Sequence, residues 1–129
     1  MTRRVVLDTN VLVSALLSPK GNATAILGMA ADGLIEAVYC CQILGEYEEV
    51  LSRPRFGFPR DLIDEALDLF RTSGIPVESC RSDCPMPDES DRIFYDTAAT
   101  GAAELITGNL KHYPAEPFVV SPADFLSRY

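Results

Sequence analysis

The sequence predicts an α/β fold, with a mainly parallel sheet covered by helices on both faces. Three observations predict it. Short apolar runs of strand length alternate with longer segments of helical periodicity. The first apolar run closes on an acid, Asp8, and sheets of this kind deliver functional groups just beyond the carboxyl ends of their strands. The chain has 129 residues, 47 % of them apolar, which makes one domain of ordinary size with material for a buried core.

The elements follow in order. Residues 4–8, Arg-Val-Val-Leu-Asp, read as a buried strand with Asp8 at its end. Residues 10–17 carry Val11, Leu12, Leu16 and Leu17 at helical spacing and stop near Pro19. Residues 22–32 are a second helix, capped by Asn22 and ended by Gly33. Residues 35–41 form a second strand. In 43–53, Ile43, Leu44, Tyr47, Val50 and Leu51 share one helical stripe, and Pro54 disfavours helix beyond it. Residues 61–73 repeat the pattern with Leu62, Ile63, Ala66, Leu67, Leu69 and Phe70, and Gly74 stops them. A third strand over 75–79 and a polar loop over 80–87 precede a helix over 88–101. Residues 104–107 and 118–120 are the last two strands, and Ser121-Pro122 opens a short final helix with Pro at its first position.

Composition excludes several functions. Nineteen acids against eleven bases give a net charge of −8, which rules out a nucleic-acid coat that binds through bulk positive charge. No apolar run approaches the roughly 18 residues of a membrane span. The first strand leaves no room for a targeting segment, so the expected compartment is the cytoplasm. Cys40, Cys41, Cys80 and Cys84 read as reduced thiols, and the only histidine, His112, leaves the zinc spacings of Cys and His unbuildable. No P-loop, dinucleotide fingerprint or Gly-x-Ser-x-Gly elbow is present. A phospho-receiver needs an acid pair after its first strand, and here Thr9 and Asn10 follow Asp8.

The acids then matter by position. Asp8 stands at the end of the first strand, where an acid is more often a site residue than a helix cap, and Thr9 and Asn10 offer the cap instead. At about 100° per residue, the apolar stripe of 43–53 centres near Tyr47, and Glu46 lies on its border. Asp88-Glu89-Ser90-Asp91 opens a helix, with Asp88 as its cap and Asp91 three residues later. Thr107-Gly108-Asn109 is a polar turn after the fourth strand. Three acids and an amide at strand ends and helix starts suit a hard cation such as Mg²⁺ or Mn²⁺. Clustered carboxylates repel one another unless a cation sits among them.

These residues resemble the PIN domain family. Val-Val-Leu-Asp-Thr-Asn-Val-Leu-Val-Ser-Ala (5–15) is similar to its opening motif. Glu-Tyr-Glu-Glu-Val-Leu-Ser-Arg-Pro-Arg-Phe (46–56) resembles the segment carrying the second acid in the branch of toxin components of toxin–antitoxin systems. Asp88 to Asp91, Thr97-Ala98 and Ile106 to Asn109 resemble the third and fourth motifs, so the likeness runs from about residue 4 to residue 124. The resemblance implies a three-layer α/β/α sandwich and a metal-dependent endoribonuclease of the VapC-like type. Asp8, Glu46 and Asp91 would be catalytic metal ligands, with Asp88 at the rim and Asn10 and Ser14 as polar supports. The family often has Asp where this chain has Asn109. The amide oxygen can still hold an ion or a water but brings no charge, which leaves one or two Mg²⁺ or Mn²⁺ ions as alternatives. An RNA substrate, a cognate antitoxin and a homodimer are implied as partners.

Arg53, Arg55, Arg60, Arg92, Lys111 and His112 are candidates to grip RNA phosphates, with Lys111 and His112 preferred because they follow Asn109. The helix over 22–32, with Ala23, Ala25, Ile26, Leu27 and Met29, is the candidate dimer contact. The alternative function is a non-catalytic PIN-like module that binds RNA or protein. The expected domain organisation is a single PIN-like domain over residues 1–129.

Overall fold

The computed structural model describes residues 2–129. Five strands, β1 (Arg3–Leu7), β2 (Ile35–Tyr39), β3 (Ile75–Pro76), β4 (Glu104–Ile106) and β5 (Val119–Val120), form one sheet in the order β3-β2-β1-β4-β5. Every pairing is parallel. Six helices surround it: α1 (Thr9–Leu17), α2 (Asn22–Ala31), α3 (Cys41–Leu51), α4 (Arg60–Ser73), α5 (Arg92–Thr100) and α6 (Pro122–Arg128). The result is the expected α/β/α sandwich, with α4 against β2 and β3 and α5 against β1, β2 and β4.

The central strand shows why the sheet must be covered on both faces. Successive side chains of a strand point to opposite sides, and Val5, Val6 and Leu7 are all buried. The helical stripes read from the sequence turn inward. Ile63, Ala66, Leu67 and Phe70 of α4 are buried, as are Ile43, Tyr47, Val50 and Leu51 of α3. Tyr47, fully buried, packs its ring 5.0 Å from that of Phe70 and 6.3 Å from that of Phe94.

Several boundaries differ from the sequence reading. The strand at 35–41 ends at Tyr39, and Cys40 and Cys41 open α3, the first buried and the second exposed. Gly21, rather than Asn22, occupies the cap position of α2. The strand at 75–79 shrinks to two residues at the sheet edge, where Pro76 has no N–H to give the ladder. The helix over 88–101 splits into a single 3₁₀ turn, Glu89–Asp91, and α5, so Asp91 sits at the junction. A second 3₁₀ turn, Leu110–His112, was not anticipated. In the candidate dimer helix α2, Ala23 and Ile26 are buried within the fold, Leu27 and Met29 are partly buried, and Ala25 is exposed. Among the described residues no helix is long and apolar enough to cross a membrane.

Two glycines make opposite predictions. A Cβ at Gly74 would lie 2.5 Å from the carbonyl oxygens of Ala37 and Phe70, because the chain turns there directly from α4 to β3. A Cβ at Gly45, within α3, would meet open space. Gly74→Ala should destabilise by about 1–3 kcal/mol. Gly45→Ala should stabilise by about 0.5–1 kcal/mol, because Ala costs less backbone entropy in a helix. Urea denaturation of both variants measures the two signs.

Candidate active site

The parallel register builds the centre of the site. Leu7 of β1 pairs with Ile106 of β4, so Asp8 and Thr107 emerge side by side at the carboxyl edge of the sheet. The Asp8 backbone N–H donates to the Ile106 carbonyl at 3.0 Å. Asp8 occupies the cap position of α1, but its carboxylate does not cap the helix. Instead its Oδ2 accepts hydrogen bonds from Thr107 Oγ1 at 2.8 Å and Tyr113 OH at 3.0 Å. All three residues are buried. Both donors meet one carboxylate oxygen, which fixes the side-chain rotamer. Burial, and then the Asp8 charge, hold the Tyr113 phenol well above its ordinary pKa, so it stays a donor.

Glu46 reaches the same region through its neighbour. Tyr47 donates from its OH to the Leu7 carbonyl at 2.5 Å, which ties α3 to the end of β1. Glu46, half-buried on the border of the stripe, accepts a 3.3 Å hydrogen bond from Thr9 Oγ1.

Asp91 is the least satisfied group of the cluster. Its Oδ2 is buried and has no hydrogen-bond partner. His112 Nδ1 lies 3.5 Å away, within ion-pair range but outside hydrogen-bond geometry. Burial, followed by the charges of Asp8 and Asp88, pushes the Asp91 carboxyl up to about 6, with Glu46 adding to the rise and His112 opposing it. Asp88, by contrast, is the cap expected from sequence. It accepts from the Ser90 N–H and hydroxyl, and these bonds lower its pKa.

The amide and the bases divide. Asn109 Nδ2 lies 2.9 Å from His112 Nε2. With the amide donating, Nε2 is the acceptor and the imidazole proton sits on Nδ1, facing Asp91. Asn10 accepts from the Gly108 N–H at 3.3 Å and so ties α1 to the turn after β4. Ser14 lies a turn further along α1, beside Asn10 at the same depression. Lys111 is exposed and makes no ion pair among the described residues. Arg92 is a correction. Its guanidinium is buried and held by Glu89 and by the Ser82 and Cys84 carbonyls, which pin the 80–87 loop rather than leave a cation for phosphate. Arg53 is paired with Glu49, and Arg60 with Glu48 and Asp64.

A cleft of about 410 Å³ opens here, lined by Asp8, Asn10, Asp91, His112, Arg55 and Phe56. A larger depression lies at the opposite, amino-terminal edge of the sheet, around Arg3 and Glu104, where those two residues neutralise each other. Among the described residues no three His, Cys, Asp or Glu side chains stand close enough to ligate one ion together. The donor chemistry nevertheless fits a hard divalent cation. The oxygens belong to carboxylates, one is orphaned while buried, and burial and their mutual repulsion outweigh the opposing His112 at Asp91.

Carboxylates thus gather at the carboxyl edge of an all-parallel sheet in the order β3-β2-β1-β4-β5, where sheets of this kind set their functional groups. The PIN domain family model matches residues 4–111, and the chain belongs to the PIN domain family. No curated protein matches the chain. PIN domains are in general nucleases, which implies nucleic-acid binding, and they typically use divalent metals.

The raised Asp91 pKa has a consequence for stability. A carboxyl whose folded pKa lies above its ordinary 3.8 penalises the folded state only when ionised. The penalty is absent below pH 3.8, grows through the interval and is complete above about 6. In EDTA, Asp91→Asn should therefore melt at a higher temperature than the wild type at pH 7–8, with the difference vanishing toward pH 4. Melting curves across that range measure it.

Proposed function

We propose that the protein is a metal-dependent endoribonuclease and the toxin of a toxin–antitoxin pair, with Asp8, Glu46 and Asp91 as the groups that hold the cation. The buried, partnerless Oδ2 of Asp91 beside Asp8 carries this reading. An uncompensated buried carboxylate costs several kcal/mol in a purely structural role, whereas a cation offsets it. When bound, Mg²⁺ or Mn²⁺ supplies positive charge to the scissile phosphate and activates the attacking water. The protein's own groups prepare for this. Thr107 and Tyr113 fix the Asp8 carboxylate, and Thr9 orients Glu46. Asn109 uses Nδ2 on His112 and leaves Oδ1 for an ion or a water, without adding charge. That neutrality leaves one firmly held ion and two ions as alternatives. Asp88, Asn10 and Ser14 support the rim, and Lys111 and His112 face the substrate. A cognate antitoxin and a homodimeric state belong to the same proposal.

One observation favours a second reading, a PIN-like module that binds without cleaving. The carboxylates do not converge on one point, and a neutral Asn109 weakens the donor set. Activity separates the two. Purified protein should cleave single-stranded RNA in Mg²⁺ or Mn²⁺, and EDTA should abolish cleavage. Partners outside the ligand shell of a metal typically matter about 10- to 100-fold. Asp8→Asn and Asp91→Asn, which alter the proposed ligands, should each lose more than about 100-fold in a gel-based cleavage assay. RNA bound but left intact in either metal would favour the binding module.

A further inference from the structure

The loop between α3 and α4 carries a planar stack that the carboxylate chemistry does not use. Arg55 places its guanidinium 4.8 Å from the centre of the Phe56 ring. Phe56 in turn stacks on Phe58, with centroids 5.5 Å apart and planes inclined by only 12°. Phe58 is explained by packing, since it lies against the hydrophobic core. Phe56 is not part of that packing: it rests on Phe58 and lines the cleft that holds Asp8 and Asp91. The backbone fixes it there. The Phe56 N–H donates to the Arg53 carbonyl and the Gly57 N–H to the Pro54 carbonyl, and Gly57 takes φ 64, a left-handed turn that favours glycine.

Arg55 is unlike its neighbours. Arg53 and Arg60 are each paired with carboxylates, whereas Arg55 makes no ion pair among the described residues. In a chain with nineteen acids and eleven bases, a guanidinium left free beside an acidic cleft is available to something else. A guanidinium plane over an aromatic ring is a surface on which a nucleobase stacks, and its edge can still donate to phosphate.

We propose that Arg55 and Phe56 form a nucleobase subsite that stacks one unpaired base of a single-stranded RNA next to the phosphate at the carboxylates. This deepens the ribonuclease reading and rests on it for the identity of the ligand. A cleft of about 410 Å³ has small-ligand dimensions and admits a splayed nucleotide rather than a duplex. Bases in a duplex are already stacked on one another and cannot lie on a side chain. Stacking is tolerant of base identity, so this subsite selects strandedness more than sequence. It also answers the charge problem of the chain. Affinity here comes from a π surface and one local cation, with no need for a basic field.

The test uses single-stranded oligoribonucleotides with 2-aminopurine at successive positions, titrated with the full-length protein in Ca²⁺ to read binding without turnover, with cleavage followed separately in Mg²⁺. Base stacking quenches 2-aminopurine fluorescence, and anisotropy reports binding separately. Wild type and Phe56→Tyr should quench at one defined position. Phe56→Leu, which keeps bulk but not the π face, should lose the quench and about 10-fold in affinity. Arg55→Lys, which keeps charge but not the plane, should weaken both. Unchanged melting temperatures show that the variants are folded. The proposal is overturned if wild type does not bind the RNA, if it binds with no position quenched, if either Phe56→Leu or Arg55→Lys quenches as wild type does, or if duplex RNA competes equally. Failure of the ribonuclease reading looks different: the RNA would be bound and quenched yet never cut.

Discussion

The pairing of Leu7 with Ile106 is the constraint on which the rest of the site depends. Two adjacent parallel strands that end in register must release their next residues side by side. Here those residues are Asp8 and Thr107, and the hydroxyl of one holds the carboxylate of the other at 2.8 Å. Tyr113 completes the hold from the segment after β4. Slipping this register by one residue would move Val6, Asp8 and their neighbours to the wrong faces and separate the acid from both donors. The sheet is thus more than a scaffold, because its register sets the direction of the first carboxylate.

Around that fixed point the fold brings in acids it does not neutralise. Tyr47 anchors α3 to the end of β1 and carries Glu46 with it. The 3₁₀ turn before α5 delivers Asp91, with one oxygen buried and unpartnered. Elsewhere several charges are paired: Arg3 with Glu104, Arg92 with Glu89, Arg60 with Glu48 and Asp64. The cleft carboxylates stay in mutual repulsion, which a divalent cation would offset.

Much of this was legible in the sequence, and the reasons are local. The stripes of α3 and α4 repeat every three to four residues, and a helix of that pattern has only one face to bury. The Asp88 cap needs only Ser90, two residues on, so spacing alone predicted it. Residues whose partners lie far along the chain were not legible. Tyr113 contacts Asp8 across 105 positions, and nothing near Tyr113 announces it. Arg92 read as a surface base because its ties to the 80–87 loop depend on how that loop folds back. The helix expected over 88–101 broke at Asp91, where periodicity could not distinguish a 3₁₀ turn from the first turn of an α-helix.

The proposed function stands or falls on whether Asp8, Glu46 and Asp91 gather a divalent cation. The most direct measurement is a Mn²⁺ titration of the purified protein without RNA, counting free ion by its electron paramagnetic resonance signal. The account predicts saturable binding of one or two ions, weakened at least 10-fold by Asp91→Asn. A wild type that leaves all the Mn²⁺ free, or an Asp91→Asn variant that binds it equally well, would contradict the account.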